Sequence, residues 1–264
     1  MTALHVRLLE GQDLPVKDAD GNSDPYAILW LNGNRKGGQR SQTIENSLNP
    51  VWNEEFSFPV KEVTKEYFFI TLFDEDPLSD DEMSRWRTPL APIAQNVTHD
   101  LWVNLYQATH PGVKGRLHLQ IHLGTGEKFS APAPTFNPTN LNIKVQHAVE
   151  LPKLDPSNPY VKIKIANTDV ESVSDVRPNT NRPVWDQDFT LPLQTNDSLL
   201  KIELWNKDKS EERIGEIDIH LSLYEQRRTS YDYYVLYPVN KKKGGYLALK
   251  IQLAPEGVPP FQDS

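Results

Sequence analysis

Hydrophobic residues alternate with polar ones along several short segments of the chain, as in β-strands that bury one face. In the clearest cases the apolar positions sharing a face are Leu4, Val6 and Leu8; Leu117, Leu119, Ile121 and Leu123; Leu141, Ile143 and Val145; and Leu247, Leu249, Ile251 and Leu253. Gly, Pro, Asn and Asp bound most of these segments, and few stretches have the period of an amphipathic helix. The pattern predicts an all-β chain.

The second half of the sequence repeats the first at a period near 130 residues. The paired segments are ALHVRLLEGQDLP with NLNIKVQHAVELP, SDPY with SNPY, NPVWNEEFSF with RPVWDQDFTL, FDED with WNKD, and GRLHLQIHL with GYLALKIQL. We predict two domains, at residues 1–124 and 139–254, a Pro-rich linker at 125–138 and a short tail at 255–264. About eight strands per domain predict two antiparallel eight-stranded β-sandwiches, whose loops gather at the sandwich ends.

Two loops of the first predicted domain are rich in carboxylates. The loop after the first strand carries Asp18, Asp20 and Asp24, and FDEDPLSDDE carries Asp74, Glu75, Asp76, Asp80, Asp81 and Glu82. If the loops meet, carboxylates about 4 Å apart repel by about 4 kcal/mol per pair at an effective dielectric near 20, so a cation is expected between them. Calcium fits better than magnesium because it accepts about six to eight oxygen ligands in flexible geometry. The alternative is that these loops are simply solvated surface.

Composition and charge exclude several other functions. The chain of 264 residues has no cysteine, which excludes disulfides and thiolate metal sites, and its N-terminus lacks the pattern of a secretory signal. A net charge of −8 argues against binding of nucleic acid. No phosphate-binding loop, nucleophile elbow or zinc-protease motif occurs, so we do not expect an enzyme. A cytoplasmic location is expected.

Four motifs of the first predicted domain are jointly highly specific. They are Leu14-Pro15, SDPY from Ser23 to Tyr26, SLNPVWNEEFSF from Ser47 to Phe58, and FDEDPLSDD from Phe73 to Asp81. The chain therefore resembles a tandem C2-domain protein, of the group that includes synaptotagmins, conventional protein kinases C, copines and ferlins. The order of its segments resembles the circularly permuted topology of phospholipase-type C2 domains.

The resemblance implies a calcium site in the first domain. Its ligands would be Asp18, Asp24, Asp74 and Asp76, with Asp81, or alternatively Asp80, as the fifth. The fifth ligand stays open because Ser84 stands where the family commonly has glycine after this loop. In the second domain Asn158 and Asn206 replace two of the aspartates and Lys207 adds a cation, so weak calcium binding or none is expected there.

The implied function is calcium-dependent, peripheral binding to anionic phospholipid membranes through the first domain. Residues 1–124 have a net charge of −6 and residues 139–254 a net charge of 0, so bound calcium would reverse the repulsion between the acidic loops and anionic lipid. Leu78 is a candidate membrane contact at the loop tip. Lys162 and Lys164 resemble half of a lysine-rich lipid-binding cluster, although a solvated sheet face is the alternative.

Two other functions stay open at this stage. The first is a calcium-independent scaffold in which both sandwiches bind protein partners. The second is that the chain is the targeting part of a larger enzyme.

Overall fold

A computed structural model describes most of the chain. The described residues are 1–19, 21–32, 35–107, 112–126, 128–129, 138–154, 157–194, 198–208, 210–239, 244–255 and 258–261. They form two compact units, unit one from residue 1 to 129 and unit two from residue 138 to 261. Most of the predicted linker, together with Asp20, Asp155 and Lys241 to Lys243, lies outside the described residues. The exact boundaries at 124, 138 and 254 stay predictions.

Unit one is built from eight antiparallel strands within the described residues. They are β1 Ala3–Gln12, β2 Pro25–Leu31, β3 Gln39–Arg40, β4 Val51–Pro59, β5 Tyr67–Asp74, β6 Asp81–Pro89, β7 Thr98–Tyr106 and β8 Val113–Gly124, with a short 3-10 turn at Arg35–Gly37. The strand order is β3-β2-β5-β6-β7-β8-β1-β4. The first strand therefore lies between β4 and the last strand, β8, as in the permuted topology that the sequence resembles.

The strands of unit one form two layers with the core between them. A single residue pair, Arg85 opposite Tyr106, joins β6 to β7, so this order folds into two four-stranded halves. The halves face each other, since the rings of Phe58 on β4 and Phe68 on β5 lie 6.1 Å apart. The alternating apolar residues that the sequence pattern singled out on β1 and β8 are all fully buried. The all-β sandwich prediction is confirmed.

Unit two repeats this architecture with one difference. Its strands are β9 Asn140–Val149, β10 Pro159–Ile165, β11 Glu171–Val173, β12 Val184–Pro192, β13 Leu199–Asn206, β14 Glu212–His220, β15 Ser230–Val235, β16 Tyr237–Pro238 and β17 Tyr246–Ala254, with a 3-10 turn at Leu221–Leu223. The seventh strand is divided, because β15 pairs with β17 in one sheet while β16 pairs with β14 in the other. The division falls at Leu236, where any side chain on Gly244 would collide with the Leu236 carbonyl oxygen.

The backbone confirms that the two units are copies of one fold. Left-handed backbone conformations recur at matched positions, and the pairs are Asp13 and Glu150, Asn46 and Asn179, Asn53 and Asp186, and Gly115 and Gly245. Each pair stands at the offset that the sequence repeat predicts. The two indole N–H groups, of Trp52 and Trp185, likewise donate to matched carbonyl oxygens, of Gln42 and Asp175, at 3.0 and 2.9 Å.

Candidate metal centre

Three carboxylates converge at one end of unit one. Asp18 lies in the loop between β1 and β2, Asp74 is the last residue of β5, and Asp76 follows two residues later. One oxygen from each can be chosen so that all three lie within 4.8 Å of one another. We call Asp18, Asp74 and Asp76 the acidic cup. The structure therefore brings together three of the five predicted ligands.

Asp74 is the buried residue of the cup, with a relative exposure of 1%. Its Oδ1 accepts a hydrogen bond from the backbone N–H of Asp24 at 2.5 Å, whereas its Oδ2 is buried and has no hydrogen-bond donor. Burial raises the pKa of Asp74, and the negative charges of Asp18, Asp76 and Asp24 raise it further. Because a buried oxygen without a donor is costly, this carboxylate is the strongest indication that a cation belongs in the cup.

The other two predicted ligands lie near the cup without joining the group of three. Asp24 supplies the backbone N–H to Asp74, and its own Oδ1 accepts the backbone N–H of Asn46 at 2.7 Å. Asp81 is exposed at the start of β6, directly opposite Asp74 in the strand register. Their roles as ligands stay predictions.

Asp80, the alternative fifth ligand, is held by other contacts. Its Oδ2 accepts the Tyr26 hydroxyl at 2.6 Å, and its Oδ1 accepts the backbone N–H of Asp76 at 3.2 Å. These bonds lower the pKa of Asp80, with the Tyr26 hydroxyl as the largest cause. Burial, followed by the bond to Asp80, raises the pKa of Tyr26 to about 12. Both side-chain oxygens of Asp80 therefore already accept hydrogen bonds from protein groups.

The loop that carries Asp18 is organised by a buried serine that sequence reasoning missed. Ser23 is fully buried, and its Oγ accepts the backbone N–H of Lys17 at 2.9 Å. The backbone N–H of Asp18 donates to the Asn22 carbonyl at 3.1 Å, which closes the loop into a turn. The serine that SDPY and SNPY share could have indicated this role. The matched Ser157 of unit two is also buried, and its Oγ donates to the Thr180 carbonyl at 2.8 Å.

Unit two has the same hydrogen bonds at the matched position but not the charges. The backbone N–H of Asn158 donates to Oδ1 of Asn206 at 2.6 Å, and Oδ1 of Asn158 accepts the backbone N–H of Asn179 at 3.0 Å. Asn206, like Asp74, is 1% exposed. Lys207 follows Asn206, and Asp208 accepts hydrogen bonds from Ser210. Within the described residues, a group of three potential metal ligands is found in unit one and not in unit two.

The predicted membrane contacts lie in different surroundings. Leu78 is 100% exposed in the loop after β5. In unit two the ammonium group of Lys162 lies 4.3 Å from the ring centre of Trp205 and 5.7 Å from that of Tyr160. Lys164 is exposed and stands opposite Lys201 on β13. Leu78 is therefore available for insertion, while Lys162 already interacts with two aromatic rings.

Both units are thus antiparallel β-sandwiches, and one bears an acidic cup at a loop end. The family model of the C2 domain matches residues 2–105, in unit one, and residues 139–236, in unit two. The chain belongs to the C2 domain family and carries two C2 domains in tandem.

Relatives with this arrangement include synaptotagmins. Synaptotagmin-5 of Arabidopsis thaliana is 24% identical over 99% of this chain and 53% of its own length. Synaptotagmin-4 of the same plant is 26% identical over 83% of this chain and 47% of its own length. Extended synaptotagmin-1 of Homo sapiens is 29% identical over 78% of this chain and 20% of its own length. The chain thus spans about half the length, or less, of these curated relatives.

A solved structure of a pair of C2 domains from Extended-Synaptotagmin 2, with calcium bound, is also similar to the chain. It is 26% identical, covers 95% of both chains and gives a TM-score of 0.41. At that TM-score the superposition does not carry residue roles from one chain to the other. Among the described residues, no helix is both long enough and apolar enough to cross a bilayer. The comparisons therefore establish the family of this chain and its two C2 domains.

Proposed function

We propose that unit one binds calcium in the acidic cup and thereby docks on anionic phospholipid membranes, while unit two acts without calcium. The observation that carries this proposal is Asp74, which has a buried Oδ2 without a hydrogen-bond donor and which groups with two further carboxylates. Asp24 and Asp81 complete the ligand set in this proposal. A chain that binds lipid in this way has no need of a catalytic residue, so we propose no enzymatic activity.

Calcium suits the cup better than other common metals. All three ligands are hard carboxylate oxygens. The group contains neither cysteine nor histidine, which are the ligands that zinc favours. Asp18 and Asp76 are half-buried, so the cup is open on one side. Lipid phosphate oxygens could occupy the coordination positions that the protein leaves there, because calcium accepts about six to eight oxygens.

The proposed switch is electrostatic. Residues 1–124 carry a net charge of −6, and two calcium ions would offset four of these charges at the end where the cup lies. Without calcium the cup repels an anionic surface, and with calcium it attracts one. Leu78, fully exposed in the same loop as Asp76, would then enter the headgroup region.

The test is co-sedimentation of the whole chain with phosphatidylserine vesicles, in calcium and in chelator. We expect the chain to sediment with the vesicles in calcium and not in chelator, and we expect Asp74→Asn to abolish this sedimentation. The asparagine is nearly isosteric and can still accept the Asp24 N–H, as Asn206 does for Asn158 in unit two. The matched control is Asp175→Asn, which removes one charge from an exposed aspartate of unit two.

Two outcomes would contradict the proposal. If Asp74→Asn sediments with the vesicles as much as the unmodified chain does, the acidic cup takes no part in membrane binding. Pelleting in neither condition, at millimolar calcium and moderate salt, would favour the calcium-independent scaffold for protein partners.

A further inference from the structure

The loop from Glu75 to Asp80 connects β5 to β6, and its acidic side chains have two different sets of partners. Asp76 points into the acidic cup. Glu75 and Asp80 are instead held by residues of β2, β3 and the segment that follows β3. The loop is therefore attached to the rest of unit one through Glu75 and Asp80.

Asp80 forms the inner attachment. The Tyr26 hydroxyl donates to one of its oxygens at 2.6 Å, and the other oxygen accepts the backbone N–H of Asp76 at 3.2 Å. Asp80 thus links a strand of the sheet to the backbone of a cup residue. The Tyr26 ring is fixed in turn, because it is 3% exposed and stacks on Phe73 with ring centres 5.6 Å apart.

Glu75 forms the outer attachment. A guanidinium nitrogen of Arg40 lies 2.8 Å from its Oε1, and the hydroxyl of Thr43 donates to its Oε2. The same guanidinium group lies 3.8 Å from the centre of the Tyr26 ring. Tyr26 therefore contacts both attachments, through its hydroxyl to Asp80 and through its ring to Arg40.

We propose that Tyr26 is a positioning residue for calcium, which holds Asp76 in the acidic cup by hydrogen-bonding Asp80. This inference rests on the proposed function of the cup. It assigns Asp80 to the support of the loop and not to the ion, and so leaves Asp81 as the fifth ligand. A loop held in its binding geometry before the ion arrives loses less conformational freedom on binding, which raises affinity.

In unit two the inner attachment has a counterpart, since Tyr160 hydrogen-bonds Glu211, but among the described residues the outer attachment is missing. Tyr160 matches Tyr26, but Val173, opposite Lys162, matches Arg40, which lies opposite Ile28. Lys207, which donates its N–H to the Asn158 carbonyl as Glu75 does to that of Asp24, replaces the acid that Arg40 binds. The outer attachment therefore occurs in the unit that carries the acidic cup, and the tyrosine–acid contact occurs in both units.

The test measures calcium affinity of the full chain by calorimetry for Tyr26→Phe, with Tyr160→Phe as the matched control. The phenylalanine keeps the ring that packs on Phe73 and removes only the hydroxyl. We expect calcium affinity to fall roughly three- to tenfold, the range for the net contribution of one ordinary hydrogen bond, because Tyr26 acts on the ion only through the loop. The number of ions bound and the unfolding temperature in chelator should change little. Tyr160→Phe should leave calcium affinity unchanged.

A second variant, Asp80→Asn, distinguishes support from direct ligation. We expect it to weaken calcium binding no more than Tyr26→Phe does, and the double variant to add little, since both changes break one linkage. A loss as large as that of Asp76→Asn would make Asp80 a ligand and overturn the inference. Unchanged or tighter binding by Tyr26→Phe would also overturn it.

Failure of the proposed function would look different from failure of this inference. If the unmodified chain binds no calcium, the assignment of the acidic cup as a calcium site is wrong. If it binds calcium and Asp74→Asn does not, while Tyr26→Phe binds as the unmodified chain does, only the positioning role of Tyr26 is wrong.

Discussion

The acidic cup of unit one and the matched site of unit two have the same backbone connections and different charges. In both, a backbone N–H donates to a buried side-chain oxygen at the end of a strand, with Asp74 as the acceptor in one and Asn206 in the other. In both, an asparagine in a left-handed conformation, Asn46 or Asn179, donates its N–H to the residue before the proline that SDPY and SNPY share. The loop geometry therefore does not depend on the aspartate charges, which remain available for binding an ion.

The most direct test of this comparison is to give unit two the buried charge of unit one. We expect Asn206→Asp to lower the free energy of unfolding of unit two by roughly 1–3 kcal/mol, the cost of a buried carboxylate without a paired cation. Chemical denaturation of the full chain in chelator measures this. An unchanged midpoint would mean that Lys207 already neutralises the position.

The pH dependence of unit one in chelator offers a second comparison. Because burial raises the pKa of Asp74 above its ordinary value of 3.8, its protonated form favours the folded state. The stability that Asp74 contributes is full below pH 3.8 and is lost as pH rises through its folded pKa. As pH rises above 3.8 the unmodified chain should lose stability relative to Asp74→Asn, until Asp74 is ionised in the folded state. Parallel stability curves for the two chains would contradict the raised pKa.

A third comparison concerns Leu78, which lies in the loop between β5 and β6 of unit one. We expect Leu78→Ala to weaken calcium-dependent binding to phosphatidylserine vesicles by up to about tenfold, because less apolar surface enters the headgroup region. Calcium affinity measured without vesicles is the control and should not change. Equal vesicle binding by both chains would place the tip of the loop outside the membrane.

The smallest effect is expected at Lys162 and Lys164. Because the Lys162 ammonium group already lies over two aromatic rings, neutralising both residues to glutamine should weaken vesicle binding in chelator by less than about threefold. The measurement is vesicle co-sedimentation at low and moderate salt. A larger, salt-sensitive loss would establish this face of unit two as a lipid site.

The sequence was sufficient for the strands and for part of the cup. Alternation predicted β1 and β8 because one face of each is buried, and the resemblance to C2 domains implied that Asp18, Asp74 and Asp76 would lie together. The contact of Tyr26 with Asp80 could not be predicted, because it joins residues 54 positions apart through a loop whose path has no periodic pattern.

Side chains on the outer sheet face also escaped prediction. His5 and His122 occupy outward positions of β1 and β8, yet they are only 8% and 1% exposed. The ring of Phe129, from the predicted linker, lies 6.4 and 6.3 Å from the two imidazole rings. Alternation shows which way a residue faces, and it cannot show what a later segment places over it.

The position of β1 between β4 and β8 has a consequence for how unit one folds. Its sheet pairs residues from opposite ends of the domain, such as Leu4 with Leu123, and such distant pairing makes folding slow. During synthesis the first strand must wait for the last to leave the ribosome before both its edges are paired. Each C2 domain of this chain is therefore expected to fold only when complete, and a truncation within β8 should cost the whole sandwich and not one strand.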